Sequence, residues 1–308
     1  MRIWCPWPLD DSALWYGYYT PFRLETSNVA RHDNIRKMKT IRLNQEAQIP
    51  VLGFGTWQMR GDECVRAVST ALEVGYRHID TADVYDNHKD VAKAIKESGL
   101  AREELFITTK IPRDLLCAPD VLENFNRYLN ELDMPYIDLF LVHWPNKQIP
   151  ILDTLGAMNQ LKQEGKVKAV GVSNFTEHHL EDALSTGCEV TLNQVELHPT
   201  FNQLELQEFC RSKNIAMTAY SPLGRGEDLS HPTILELAKK YGVSPAQVVL
   251  NWITSRGIVA IPKSSNPGRI EDNFKSVSWT MGNGDIEKID SIPQEPRILD
   301  HPGSEFDY

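Results

Sequence analysis

From Met38 onward, short apolar runs alternate with amphipathic stretches in which apolar residues recur at helical spacing. The apolar runs at 51–57, 78–79, 106–109, 137–142, 167–172, 191–194, 216–219 and 259–261 predict strands. Most of them are β-branched and apolar throughout, as strands covered on both faces are. Helical spacing predicts helices at 63–73, 89–98, 119–132, 151–163, 177–184 and 203–212, then 232–241 with 245–255. Gly75, Gly99, Gly165 and Gly187 stand where those helices should stop, and Pro119 and Pro245 suit first-turn positions. This alternation predicts an α/β fold, the closed (β/α)8 TIM barrel, with its active site at the C-terminal strand ends. An open doubly wound sheet has the same local alternation, but its glycine fingerprint is missing. Gly53-Phe54-Gly55-Thr56-Trp57-Gln58 puts glutamine where the third glycine belongs. Ahead of the first strand, residues 39–48 predict a β-hairpin that plugs the bottom of the barrel.

Residues 1–37 do not share the pattern. They hold Trp4, Trp7 and Trp15 among prolines and tyrosines, without helical or strand period. Asp10 and Asp11 interrupt the apolar centre that a secretory signal needs, and a transit peptide should be poor in acidic residues. The expected division is an N-terminal extension at 1–37, disordered or non-native, followed by one domain at 38–308.

Composition then narrows the class. Of 308 residues, 41% are hydrophobic and 24% charged, the proportions of a globular chain. No apolar run reaches the ~18 residues of a membrane span. A formal charge of -10 argues against a face for nucleic acid, so neither membrane nor nucleic acid is an expected partner. Cys5, Cys64, Cys117, Cys188 and Cys210 form no paired spacing, which fits reduced thiols in a cytoplasmic protein without a structural metal.

Four polar residues fall at or just after successive strand ends: Asp80, Tyr85, Lys110 and His143. Each alone has an ordinary structural reading, such as a turn cap for Asp80 or a strand-end lysine reaching water for Lys110. Together they are complementary. A tyrosine, with a reference pKa near ~10, needs a cation to act in acid–base chemistry at neutral pH. Lys110 offers that cation and Asp80 an anchor for it, while His143 can donate a hydrogen bond to a carbonyl oxygen gathering negative charge.

These residues, and the segments around them, closely resemble the aldo-keto reductases, NADPH-dependent carbonyl reductases built on the (β/α)8 barrel. The resemblance spans essentially all of 38–308. It rests on Gly75-Tyr-Arg-His-Ile-Asp80-Thr-Ala-Asp-Val-Tyr85, Ile107-Thr-Thr-Lys110, Leu141-Val-His143-Trp144-Pro, Gly171-Val-Ser173-Asn174, Asn193-Gln194-Val-Glu, Tyr220-Ser221-Pro222-Leu223-Gly224 and Ile261-Pro-Lys263-Ser264. It implies a catalytic set of Asp80, Tyr85, Lys110 and His143. It also implies an NADPH site with Gly55 and Thr56 at the first strand, and Ser173, Asn174 and Gln194 at the nicotinamide amide. Tyr220 would stack on the ring and Ser221 to Gly224 would wrap the pyrophosphate. Lys263, Ser264, Ser265, Asn266, Arg269, Asp272 and Asn273 would meet the adenosine end. Charge and donors at Lys263, Ser264 and Arg269 favour a 2′-phosphate. Trp57, His143, Trp144 and Arg113 are the expected substrate contacts, and a monomer is the expected state.

The chain departs from that pattern in three places. Asp272 stands where glutamate is usual, which shortens its reach to adenine. Lys110-Ile-Pro-Arg113 replaces the usual Lys-Leu-Trp or Lys-Val-Trp, which removes an aromatic wall and brings a guanidinium near the pocket to meet a carboxylate or sugar hydroxyl. Asn87-His88 replaces Asn-Glu beyond the catalytic pair, with no expected loss of chemistry. Short loops and the tail Pro296-Arg-Ile-Leu-Asp-His-Pro resemble the microbial branch of 2,5-diketo-D-gluconate and methylglyoxal reductases. The implied activity is reduction of small aldehydes, methylglyoxal or keto-sugar acids with Tyr85 as proton donor. The alternatives are a catalytically weak NADPH-binding regulatory subunit and, further off, a metal-dependent barrel hydrolase, for which the histidines are poorly placed.

Overall fold

The computed structural model describes residues 38–300 and 303–308; the extension expected at 1–37 lies outside the described residues. Strands β1 (Thr40–Arg42) and β2 (Gln48–Pro50) pair antiparallel, Thr40 opposite Pro50. Their turn is built by Asn44, whose Oδ1 accepts the N–H groups of Glu46 and Ala47, both at 2.9 Å. The same amide donates to Lys168 O at 3.0 Å and Glu189 Oε1 at 2.9 Å, which fastens the expected hairpin across one end of the barrel.

Eight parallel strands follow in chain order: β3 (Phe54–Gly55), β4 (His78–Asp80), β5 (Phe106–Ile111), β6 (Ile137–Val142), β7 (Val167–Ser173), β8 (Leu192–Glu196), β9 (Ala216–Tyr220) and β10 (Val259–Ala260). Gly53 N donates to Ala260 O at 2.8 Å and Ala260 N to Val51 O at 2.9 Å, joining the two edges. The sheet is therefore closed, as in a (β/α)8 barrel. Helices α1 (Gly61–Val74), α2 (His88–Ser98), α3 (Ala118–Leu132), α4 (Ile151–Gln163), α5 (Glu177–Ser185) and α6 (Leu204–Ser212) follow the first six barrel strands. Next come α7 (Pro232–Tyr241) and α8 (Pro245–Ser255) after β9, and α9 (Pro267–Phe274) with α10 (Asn283–Asp290) after β10.

The two-period of the strands sorts side chains into two cores. Leu139 and Leu141 of β6 point inward with Phe106, Ala169, Leu192 and Val259, packed over Ile49 of the plug. Phe140 and Val142 point outward, and Phe140 meets the Phe125 ring of α3 at 4.7 Å between centroids.

Two expectations change. The strand expected at 51–57 is only Phe54–Gly55 with a bridge at Leu52, because Pro50 still belongs to the hairpin and the chain must cross from plug to barrel. Helices α9 and α10 occupy a stretch that the apolar spacing left unassigned.

Two glycines give opposite stability tests. A Cβ on Gly171 in β7 would lie 2.6 Å from Leu192 O, so Gly171→Ala must push strands apart. It should destabilise the fold by about 1–3 kcal/mol. Gly156 in α4 faces open space, so Gly156→Ala should stabilise by about 0.5–1 kcal/mol. Urea midpoints at unchanged slope measure both.

Candidate active site

Lys110 lies in the middle of the site and is fully buried. Its Nζ donates to Asp80 Oδ1 at 2.5 Å and Thr81 O at 2.8 Å, with the Tyr85 hydroxyl at 3.5 Å. The other Asp80 oxygen accepts from Gln194 Nε2 at 2.8 Å. A buried charge is tolerable only when so paired. Burial holds the Lys110 pKa below its ordinary value, while the Asp80 carboxylate opposes that shift.

Tyr85 sits in a single 3-10 turn, Asp83–Tyr85, whose position is set from several sides. Asn87 Nδ2 donates to Thr56 O at 3.0 Å and Met59 O at 2.9 Å, while Thr81 Oγ1 donates to Asn87 Oδ1. Arg127 of α3 pairs with Asp83 at 2.8 Å. His88 bridges Thr109 at 2.8 Å and Glu131 at 3.0 Å. Asp83, His88 and Glu131 are close enough together to hold a metal ion, yet Arg127 already pairs with both carboxylates. The His143 ring meets the Tyr85 ring edge-on at 5.8 Å. Burial, and then the Asp80 charge, push the Tyr85 pKa well above its ordinary value. The phenol is therefore held protonated: the expected lowering by Lys110 does not outweigh desolvation.

Tyr85 and His143 open into a cavity of about 990 Å³. Of the residues singled out in the sequence, it is also lined by Gly55, Thr56, Trp57, Asp80, Trp144, Ser173, Asn174, Gln194 and Tyr220, then Ser221, Pro222 and Leu223, and finally Lys263, Ser264, Arg269, Asp272 and Asn273. Tyr220 OH donates to Asn174 Oδ1 at 2.7 Å, and Asn174 Nδ2 donates to His143 O at 2.9 Å. The non-glycine residues Gln58, Asn174, Ser221 and Arg225, all with positive φ, lie on the cavity wall. Such strain concentrates at functional sites.

Some residues lie elsewhere than expected. Arg113 is outside the lining: its guanidinium donates to Gly303 O and pairs with Glu305 at 3.2 Å, so the tail neutralises the charge expected to meet substrate. Asp272 borders the cavity, but its oxygens accept from Ser244 and Gln247 of the α8 start. Lys110 lies behind the wall. Gly224, Ser265 and Asn266 are not among the lining residues; Asn266 instead caps α9 through Arg269 N at 3.0 Å. Sequence reasoning missed Val84, Arg225 and Leu299 on the lining, and Arg225 lies over the Trp57 ring at 5.4 Å.

It also missed a buried ionic group beside the cavity. His198 Nδ1 faces Asp228 Oδ2 at 2.9 Å and Nε2 faces Glu196 Oε1 at 3.3 Å. The signal was present in Glu196-Leu-His198-Pro at the end of β8.

Among the described residues, neither Lys263 nor Arg269 is in an ion pair with a carboxylate, and both border the cavity beside the N-terminus of α9. Two free cations at a helix N-terminus fit a phosphate-bearing cofactor.

The sequence model of the Aldo/keto reductase family matches residues 51–294. The 9,11-endoperoxide prostaglandin H2 reductase of Trypanosoma cruzi is 44% identical over 272 residues, covering 86% of this chain and 95% of that protein. The glyoxal reductase of Bacillus subtilis is 38% identical over 265 residues, covering 85% and 96%. The crystal structure of a Bombyx mori aldo-keto reductase in complex with NADP superposes with a TM-score of 0.80 at 32% identity, covering 87% of this chain and 98% of that one.

The ionic group gives a pH test. Burial disfavours the His198 charge, but hydrogen bonds to Asp228 and Glu196 outweigh that and push its pKa up to about 9. A folded pKa above the free value of about 6.5 means stabilisation complete below that value and lost as pH rises through the folded one. Between about pH 7 and 10, wild type should lose up to about 3 kcal/mol more unfolding free energy than His198→Gln. Urea titrations across that range measure the difference.

Proposed function

Because the chain belongs to the aldo/keto reductase family and is an oxidoreductase of that class, we propose that it reduces aldehydes or ketones to alcohols with NADPH. The observation that carries this reading is the meeting of Tyr85, His143 and Asp80 at one cavity, with Lys110 bonded behind them and Lys263 and Arg269 lining the same cavity. When bound, NADPH supplies the hydride. Asn174, Ser173 and Gln194 would hold the amide end, Tyr220 the ring, and the 221–223 backbone the pyrophosphate. Lys263, Ser264 and Arg269 would take a 2′-phosphate.

The protein groups handle the proton. His143 orients the carbonyl oxygen and polarises it by hydrogen bonding. Tyr85, held protonated by burial, donates its proton to that oxygen as the alcohol forms. Lys110 lies 3.5 Å from the phenol oxygen and offsets the charge left there, while Asp80 keeps the ammonium in place. Trp57, Val84, Trp144 and Leu299 give the entrance an apolar wall. With Arg113 engaged by Glu305, that guanidinium is not offered to a substrate carboxylate, and the apolar wall suits small aldehydes and dicarbonyls such as methylglyoxal. The Bacillus subtilis relative's name, glyoxal reductase, agrees with that class.

NADPH oxidation by the purified protein across aldehydes, methylglyoxal and keto-sugar acids tests the activity; none across the whole panel would refute it. Tyr85→Phe should lower kcat by about 100-fold or more while leaving the NADPH dissociation constant near wild type. Retained turnover would remove Tyr85 from its role. Arg269→Ala should weaken NADPH by about tenfold or more and leave NADH nearly unchanged, as read by fluorescence titration.

A further inference from the structure

Two irregular segments border the cavity from opposite parts of the chain. One is the 221–226 loop after β9, which contributes Leu223, Arg225 and Gly226 to the wall. The other is the tail at 295–300, which contributes Leu299. The loop is folded into 3-10 turns, with Gly224 N donating to Ser221 O at 2.9 Å and Gly226 N to Leu223 O at 2.8 Å, while the tail has no helix or strand; both end on the same ionic group.

On the loop side, the Asp228 carboxylate lies directly under Gly224. A Cβ there would come within 2.7 Å of it, and Gly224 has φ +55. Thr200 Oγ1 donates to the other Asp228 oxygen at 2.7 Å. On the tail side, Glu196 accepts the N–H groups of Ile298 at 2.6 Å and Leu299 at 2.9 Å. Thr200 O accepts Glu295 N at 2.7 Å. His198 lies between the carboxylates with 2% of its side chain exposed, and each ring nitrogen faces an acceptor, so the ring must carry both protons. Arg297 is the other nearby cation; it stacks on Phe306 at 3.3 Å, and Phe306 packs on Trp144 of the cavity wall.

We propose that His198 is a positioning residue that couples the cofactor loop to the tail, so that filling the cofactor site orders the wall that meets substrate. The physical basis is that neither carboxylate can move away without leaving a buried charge unpaired. A loop drawn onto the cofactor carries Asp228, Asp228 carries His198, and His198 carries Glu196 with the two tail amides it holds. This inference rests on the NADP(H) site of the preceding section.

Hydrogen exchange at the Ile298 and Leu299 amides reads the coupling directly, since both donate to Glu196. Adding NADP+ to the wild-type protein should slow their exchange by about fivefold or more, the lower range of coupling between sites. In His198→Gln and in Asp228→Asn, NADP+ should still bind by calorimetry but lose that effect on the tail. Asp228→Asn retains a hydrogen-bonding side chain of the same size, so it decides the matter if His198→Gln fails to fold. Equal tail exchange with and without NADP+ in wild type would overturn the coupling, as would full NADP+ protection in the folded Asp228→Asn protein. Failure of NADP+ to bind the wild type is a separate result, which overturns the cofactor site and the coupling with it.

Discussion

A lysine ammonium with no access to water has to be neutralised and hydrogen-bonded where it stands, and the site is arranged around meeting that need at Lys110. Asp80 supplies the charge, Thr81 a carbonyl, and Gln194 occupies the remaining Asp80 oxygen. Thr56 Oγ1, in turn, donates to Asp80 O at 2.9 Å. These partners come from β4, β5, β8 and the segment after β3, so one ion pair ties a large part of the barrel mouth together. Tyr85 is placed relative to that pair by a turn whose contacts run to α2, α3 and β5.

The same low-dielectric setting explains the protonation states. Burial dominates at Tyr85 and Lys110, pushing each toward its neutral form, whereas His198 keeps its charge because two carboxylates face it at short range. The two ionic centres differ in what they hold. The Lys110–Asp80 pair fixes side chains at strand ends, whereas the His198 group holds two tail amides through Glu196 and packs Asp228 under Gly224 of the loop after β9.

The sequence made the barrel legible because its strands repeat an apolar run and its helices an apolar stripe, both local properties. Ile137–Val142 of β6 matches the expected run at both ends, and α4, α7 and α8 match their expected spans. The first strand was overdrawn because apolarity continues from the plug through Pro50 into the barrel, and local pattern does not show where the chain changes sheet. The cluster of Asp80, Tyr85, Lys110 and His143 was legible because its members sit at or just after successive strand ends, where chain order becomes spatial order. Arg113 was misread for the opposite reason. What decides its role is Glu305, far along the chain, and no local pattern announces that pairing. Asp228 escaped notice in the same way, since its partner His198 belongs to a different βα loop.

The central claim is that the buried Lys110 supports proton transfer by Tyr85 without taking part in cofactor binding. A stopped-flow single turnover of bound NADPH with methylglyoxal, comparing Lys110→Met with wild type, tests it most directly. The account predicts near-equal NADPH affinity and a turnover slowed by about 100-fold or more in the variant. A variant that oxidises NADPH as fast as wild type would contradict it.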